Sequence, residues 1–223
     1  MINQLKESGR LNTTVLLFIL SLFSFGLSVF RILYTHTFEF LFLNWNLFLA
    51  FIPWLISSII ILRKLQDKKL LLVIMVLSWV IFFPNSPYIL TDLFHLGMSS
   101  KAPLWFDLIL ILSFAWTGLL FGFVSLTDIE KVLENFVGKS KTTFITIGFL
   151  FISGFGIYVG RYLRWNSWDI IVSPFALSSD ILSKISHPIY YSRAWGLTLF
   201  IGLLLNLIYF SFKLLNGQNQ KVK

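Results

Sequence analysis

Six stretches of this chain carry no charged residue for about 19–23 positions each: 11–30, 40–62, 70–91, 108–127, 142–160 and 194–212. A helix needs about 20 residues to cross the ~30 Å hydrocarbon core of a bilayer. No water is available there, so every backbone amide must pair within its own segment or a closed sheet. Barrel strands alternate apolar and polar residues with period two, and these runs do not alternate. The chain therefore reads as an all-α membrane protein. Six transmembrane helices form one bundle, with spans at about 11–33, 42–62, 70–91, 105–127, 142–163 and 191–212 in a single polytopic domain over 1–223. Charged residues make up only 13% of it, about half the share usual in a soluble domain.

The net charge of +8 does not indicate nucleic acid. The cations lie mostly in short loops, where they orient a membrane protein. Twelve Lys and Arg fall on the side that holds both termini and loops 63–69 and 128–141, and six fall on the other. The positive-inside rule then puts both termini in the cytoplasm. Lys6 and Arg10 precede the first run as in a signal peptide, but no small-x-small cleavage site follows, so the run reads as a retained anchor. There is no Cys, which excludes disulfides and thiolate chemistry. Between spans four and five, Thr127-x-x-Glu130 has the form of a capping box opening a small interfacial helix, with Gly138 as its terminator.

Polar residues concentrate on the extracytoplasmic side. The stretch FPNSPYILTDLFHLG, 83–97, breaks an apolar run with two prolines. If helix resumes at Ser86-Pro87, then Tyr88, Asp92 and His95 share one face. Two readings stay open: a polar pocket using Asp92 and His95, with Asn85 and Tyr88 on its wall, or a helix end solvated at the headgroups. Asp107 opens the fourth span, and its face continues through Phe114, Gly118, Gly122 and Ser125, small enough for another helix to approach closely. The third dense motif is GRYLRWNSWD, 160–169. Arg161 and Arg164 are neighbours if the helix continues. With Asn166, Asp169 and the tryptophans they suit an anion, or they neutralise Asp92, Asp107 or Asp169 within the protein. Ser173-Pro174 then starts a short helix carrying Leu177, Ile181 and Ile185, interfacial or re-entrant, between spans five and six. His36, Glu39, His95 and His187 fall on the same side and are weak metal candidates, because their spacings match no specific site.

The segments PNSPYILTDLFHL, LWFDLILILSFAWTGLLFGFVSL and GRYLRWNSWDI resemble domain-of-unknown-function family 1361, predicted bacterial integral membrane proteins of about this length. The resemblance covers roughly residues 70–212. It implies a bacterial cytoplasmic-membrane location and carries no catalytic residue over to this chain. The expectation is thus a membrane protein with an extracytoplasmic polar cluster, acting as an accessory or structural subunit. One alternative is an outer-leaflet enzyme or binder for an anionic headgroup or lipid-linked substrate. In that case Asp92, His95 and Asp107 would be the catalytic candidates, and Asn85, Tyr88, Arg161, Arg164, Asn166 and Asp169 the binding candidates. A small transporter or channel is the other alternative. The expected partners are the lipid bilayer, an anionic headgroup or other membrane proteins, and no cofactor is indicated.

Overall fold

A computed structural model of the chain describes residue 6, residues 9–97 and residues 101–221, with side chains as far as residue 215. Among these residues every regular element is helical. They are α1 Leu11–Thr35, α2 Phe42–Leu62, α3 Lys69–Phe82, α4 Asn85–Tyr88, α5 Leu104–Val137, α6 Lys139–Tyr162, α7 Asp169–Val172, α8 Pro174–Ser186 and α9 Ser192–Lys221. Short 3₁₀ segments occupy Leu65–Asp67 and Ile89–His95. Six helices are long and apolar enough to cross a membrane, with Lys69–His95 acting as one span. The six expected spans are all present. The contacts divide the chain into two compact units, residues 1–132 and 133–223.

In the first unit, α5 is the central element, and its apolar window is far more buried than that of any other span. The outward faces of α1 and α3 instead expose large apolar side chains such as Phe18, Leu33, Leu70 and Ile74, as lipid-facing helices do. α1 runs antiparallel to α5. Ser24 and Thr117 hydroxyls meet at 3.5 Å, and the Phe25 and Phe114 rings meet edge to face. α2 contributes Phe51 and Trp54 against Phe121.

The Pro-Asn-Ser-Pro stretch is not a loop. Phe83 and Pro84 keep right-handed helical dihedrals, so the prolines alter the hydrogen bonding rather than the handedness of the chain. Proline has no N–H to give, and the Ser86 N–H bonds the Phe83 carbonyl at 2.9 Å instead of the carbonyl four back. That leaves the Phe82 carbonyl free, and Asn85 Nδ2 donates to it at 2.9 Å. The small face of α5 receives the repaired segment. A Cβ on Gly118 would sit 3.0 Å from the Ser86 carbonyl oxygen, and one on Gly122 would sit 2.8 Å from Ser86 Cβ. Ser86 Oγ donates to the Ala50 carbonyl, and Trp79 Nε1 to Ser125 Oγ. Asn85→Ala is therefore expected to cost about 1 kcal/mol, the usual worth of such a bond. Unfolding in detergent checks this, and no loss at all would mean that the Phe82 carbonyl has another partner.

α5 continues unbroken to Val137, where Gly138 at φ +81° ends it. Gly138 terminates the helix as expected, but the separate interfacial helix over 127–138 does not form. Nothing between Phe123 and Val137 breaks the helix, so Thr127 has no free amide to cap. Its hydroxyl donates back to the Phe123 carbonyl at 2.9 Å.

In the second unit, α6 and α9 pack antiparallel at backbone contact. A Cβ on Gly154 would lie 2.8 Å from the Thr198 carbonyl oxygen, and one on Gly202 would lie 2.9 Å from Phe151 Cα. The close approach falls at Gly154 and Gly202. Asn206 of the last span is buried and donates to the Gly202 carbonyl and, across the pair, to that of Ile147. Between these spans, α8 forms where Ser173-Pro174 predicts a helix start, with Pro174 in its first turn.

Candidate functional site

Arg31, one of the six Lys and Arg on the extracytoplasmic side of the count, belongs to a helix and not to a loop. α1 extends to Thr35, so Arg31 lies inside the helix and faces α5. Its Nε donates to Asp107 Oδ1 at 2.7 Å and its Nη2 to Oδ2 at 3.3 Å. Nη2 also reaches Glu39 at 3.2 Å, Nη1 reaches the Thr37 hydroxyl, and the guanidinium lies over the Phe40 ring. Arg31 and Asp107 are each only 1% exposed. The planar fork of arginine suits such a bidentate, stacked arrangement. Asp107 thus has its counter-charge on the neighbouring helix α1.

A second buried pair closes the other end of the same helices. Arg10 Nη1 lies 2.5 Å from Asp128 Oδ2, while Arg10 Nη2 donates to Ser58 Oγ and Ser57 Oγ donates to Asp128. Twenty-one residues separate Arg10 from Arg31, and twenty-one separate Asp107 from Asp128. At ~1.5 Å per residue that is about 32 Å, close to the ~30 Å of a hydrocarbon core. It is also three heptads, an interval that drifts by only about 60° around a straight helix. The two ion pairs thus clamp α1 to α5 at a separation of one bilayer core. The pairing removes a cost of about 2.5–3.5 kcal/mol per lone charge in a span.

Asp92 is fully buried, at 0% exposure. Asn46 Nδ2 donates to its Oδ2 at 2.8 Å. The reading of 85–97 as a water-solvated end is overturned for Asp92: the segment packs into the bundle instead of leaving it. The 3₁₀ segment has three residues per turn, so Asp92 and His95 stay on one face and Tyr88 falls off it. His95 Nδ1 lies 3.3 Å from the Asp92 carbonyl oxygen, and its ring rests against Phe42. Tyr88 is half-buried, and its carbonyl accepts from Thr91.

The 160–169 motif does not continue as helix. α6 ends at Tyr162, and Arg164 takes φ +60°, so Arg161 and Arg164 are not on successive turns of one helix. The Trp165 N–H closes the turn onto the Val159 carbonyl. Arg164 is exposed and Arg161 half-exposed. Asn166 and Asp169 serve each other. The Asn166 N–H donates to Asp169 Oδ2 at 2.6 Å, and the Asp169 N–H donates to the Asn166 carbonyl. That is the reciprocal logic of a helix cap, and it assigns this carboxylate a local structural task. Trp165 Nε1 donates to Asp180 of α8 at 2.8 Å.

The metal candidates have other partners or stand in the open. His36 caps α1 with φ +53°, Glu39 bonds Arg31, and His187 is exposed. Among the described residues no group of three His, Cys, Asp or Glu is placed to hold a metal.

Six apolar spanning helices with lipid-compatible outer faces and charges paired inside define a multi-pass integral membrane protein. The chain belongs to the family described as Protein of unknown function (DUF1361), whose model matches residues 45–208. No curated protein and no solved structure shows significant similarity to it.

Proposed function

We propose that this protein is an accessory or structural membrane subunit whose polar residues lock its helices together and leave its outer faces for lipid and partner proteins. The observation that carries the reading is closure. Asp92 is fully buried on Asn46, and Asp107 is fully buried on Arg31. An acid held this way is positioned for stability and is shielded from a substrate. We place the protein in a bacterial cytoplasmic membrane with both termini inside, on the two-to-one Lys and Arg bias between its sides. Reporters fused to the C-terminus are expected to be active only in the cytoplasm, and activity only outside reverses the orientation.

Native mass spectrometry of the purified full chain tests the role itself. Asp92→Asn and His95→Ala are expected to keep the same co-purifying small molecules and metals as the parent. Loss of a bound molecule in either variant overturns the accessory reading in favour of an outer-leaflet enzyme. One observation favours a second reading, a binder of anionic headgroups: Arg164 and Arg193 stand exposed beside the connection from α6 to α9. In this second reading, α8 lies in the extracytoplasmic interface.

A further inference from the structure

Within the connection 163–191, α8 buries its lysine and exposes large apolar side chains. α8 carries two charged residues: Lys184 turns back to the protein, and Asp180, 43% exposed at its side chain, is tied to Trp165. Lys184 is 8% exposed, its ammonium lies 4.3 Å from the centre of the Tyr191 ring, and Asp180 accepts from Trp165. No residue of α8 classed as exposed is charged: Phe175, Leu182 and Ile185 stand out from it, with Ser178, Ser179 and Ser186 among them. Phe175 is 90% exposed, and Ile189, just past the helix, is 92% exposed. In water a lysine would extend outward and phenylalanine would turn in. Such a face, apolar side chains among small serines, suits the boundary between water and lipid.

Length and connectivity fit that boundary. α8 has 13 residues, about 20 Å at ~1.5 Å per residue, too short to cross a ~30 Å core. The ring contact of Phe155 with Trp195 and the bond from Asn206 to Ile147 set the antiparallel register of α6 and α9. That register brings Arg161 level with residues 189–192, so both ends of the connection leave from the same end of the pair. Such a helix lies in the plane of the interface. Two exposed arginines border it. Arg164 is held beside α8 by the Trp165–Asp180 bond, and Arg193 by the bond from Trp195 Nε1 to the Lys184 carbonyl.

We infer that this connection is a docking surface for an anionic phospholipid. The acyl chains lie along Phe175, Leu182 and Ile185, and the headgroup phosphate sits on Arg164 and Arg193. The inference rests on the interfacial placement of α8. It commits to lipid rather than a second copy, because the apolar face adjoins cations as acyl chains adjoin the anionic phosphate in such a lipid.

The chain has no cysteine, so single nitroxide labels report cleanly on the full-length protein in nanodiscs of phosphatidylglycerol and phosphatidylcholine. A label at Phe175→Cys is expected to match the lipid-facing control Phe18→Cys in accessibility to oxygen over an aqueous nickel complex. Matching the exposed-turn control Asp67→Cys instead overturns both the placement and the docking surface. Spin broadening at position 175 that disappears on dilution with unlabelled chain means a second copy covers the face, and also overturns it. Native mass spectrometry then reads the phosphate seat. Arg164→Gln with Arg193→Gln is expected to lower retained phosphatidylglycerol relative to phosphatidylcholine by about fivefold or more, while the double Lys variant keeps it. An unchanged ratio with the label still immersed overturns the phosphate seat and leaves the interfacial placement standing.

Discussion

Arg31→Ala is expected to destabilise the first unit by about 3–5 kcal/mol, the cost of leaving a buried charge without its partner. Asp107 is 1% exposed, so no water replaces the two bonds it loses. Glu39 and Thr37 lose the same partner, although Glu39 is partly solvated and contributes little. Arg31→Lys keeps the charge but not the fork, and falls between. The double variant Arg31→Met with Asp107→Leu is expected to recover most of the loss, because apolar replacement of both members of a buried pair is often neutral or better. Unfolding by sodium dodecyl sulfate in mixed micelles reads all four proteins. If Arg31→Ala unfolds with the parent, Asp107 is not closed off from water, and the structural account of the clamp fails.

Gly202→Ala is expected to lose about 1–3 kcal/mol by overpacking, and Gly202→Leu more. The added methyl collides with the Phe151 ring and lies 2.9 Å from Phe151 Cα. A ring can rotate away, but a backbone atom moves only if the helix moves. The whole α6–α9 pair must therefore separate. Gly148→Ala on the same helix pair is the control. Nothing lies within 4 Å of its added Cβ, so it is expected to be neutral or to gain by up to about 1 kcal/mol from helix propensity. Equal stability of Gly202→Ala and Gly148→Ala would sink the close packing. Between helices in lipid there is little hydrophobic drive, and small residues that permit backbone contact carry the association.

Local features were legible because their causes are local. Gly138 stops α5 because a left-handed φ suits glycine. Pro174 starts α8 because a first-turn proline needs no N–H partner. The stripe Gly118, Gly122 and Ser125 announced a close approach without saying which segment approaches. That segment proved to be Pro-Asn-Ser-Pro itself, so two features read as separate are one contact. Thr127-x-x-Glu130 misled because a capping box requires a helix start, and nothing there breaks the helix. Arg161 and Arg164 misled for the opposite reason. The helix on which their neighbourhood depended ends at Tyr162, Arg164 takes a left-handed φ, and no glycine or proline marks that point.

The clamp was half legible. Matching intervals of twenty-one residues between two arginines in one place and two aspartates in another are visible without coordinates. Their meaning depends on knowing that α1 and α5 are antiparallel neighbours.

The sequence by itself determined the solvent and the elements. Long uncharged runs must be helices in lipid, since nothing else there satisfies the backbone. Only the tertiary structure decided which charges meet. Six helices can pack in many orders at similar cost, and each order pairs different residues. In this one Asp107 meets Arg31, Asp128 meets Arg10, and Asp92 is sealed against Asn46. Pairing across forty to more than a hundred positions of chain leaves no periodic trace, because it is set by side-chain packing and the need to neutralise each buried charge.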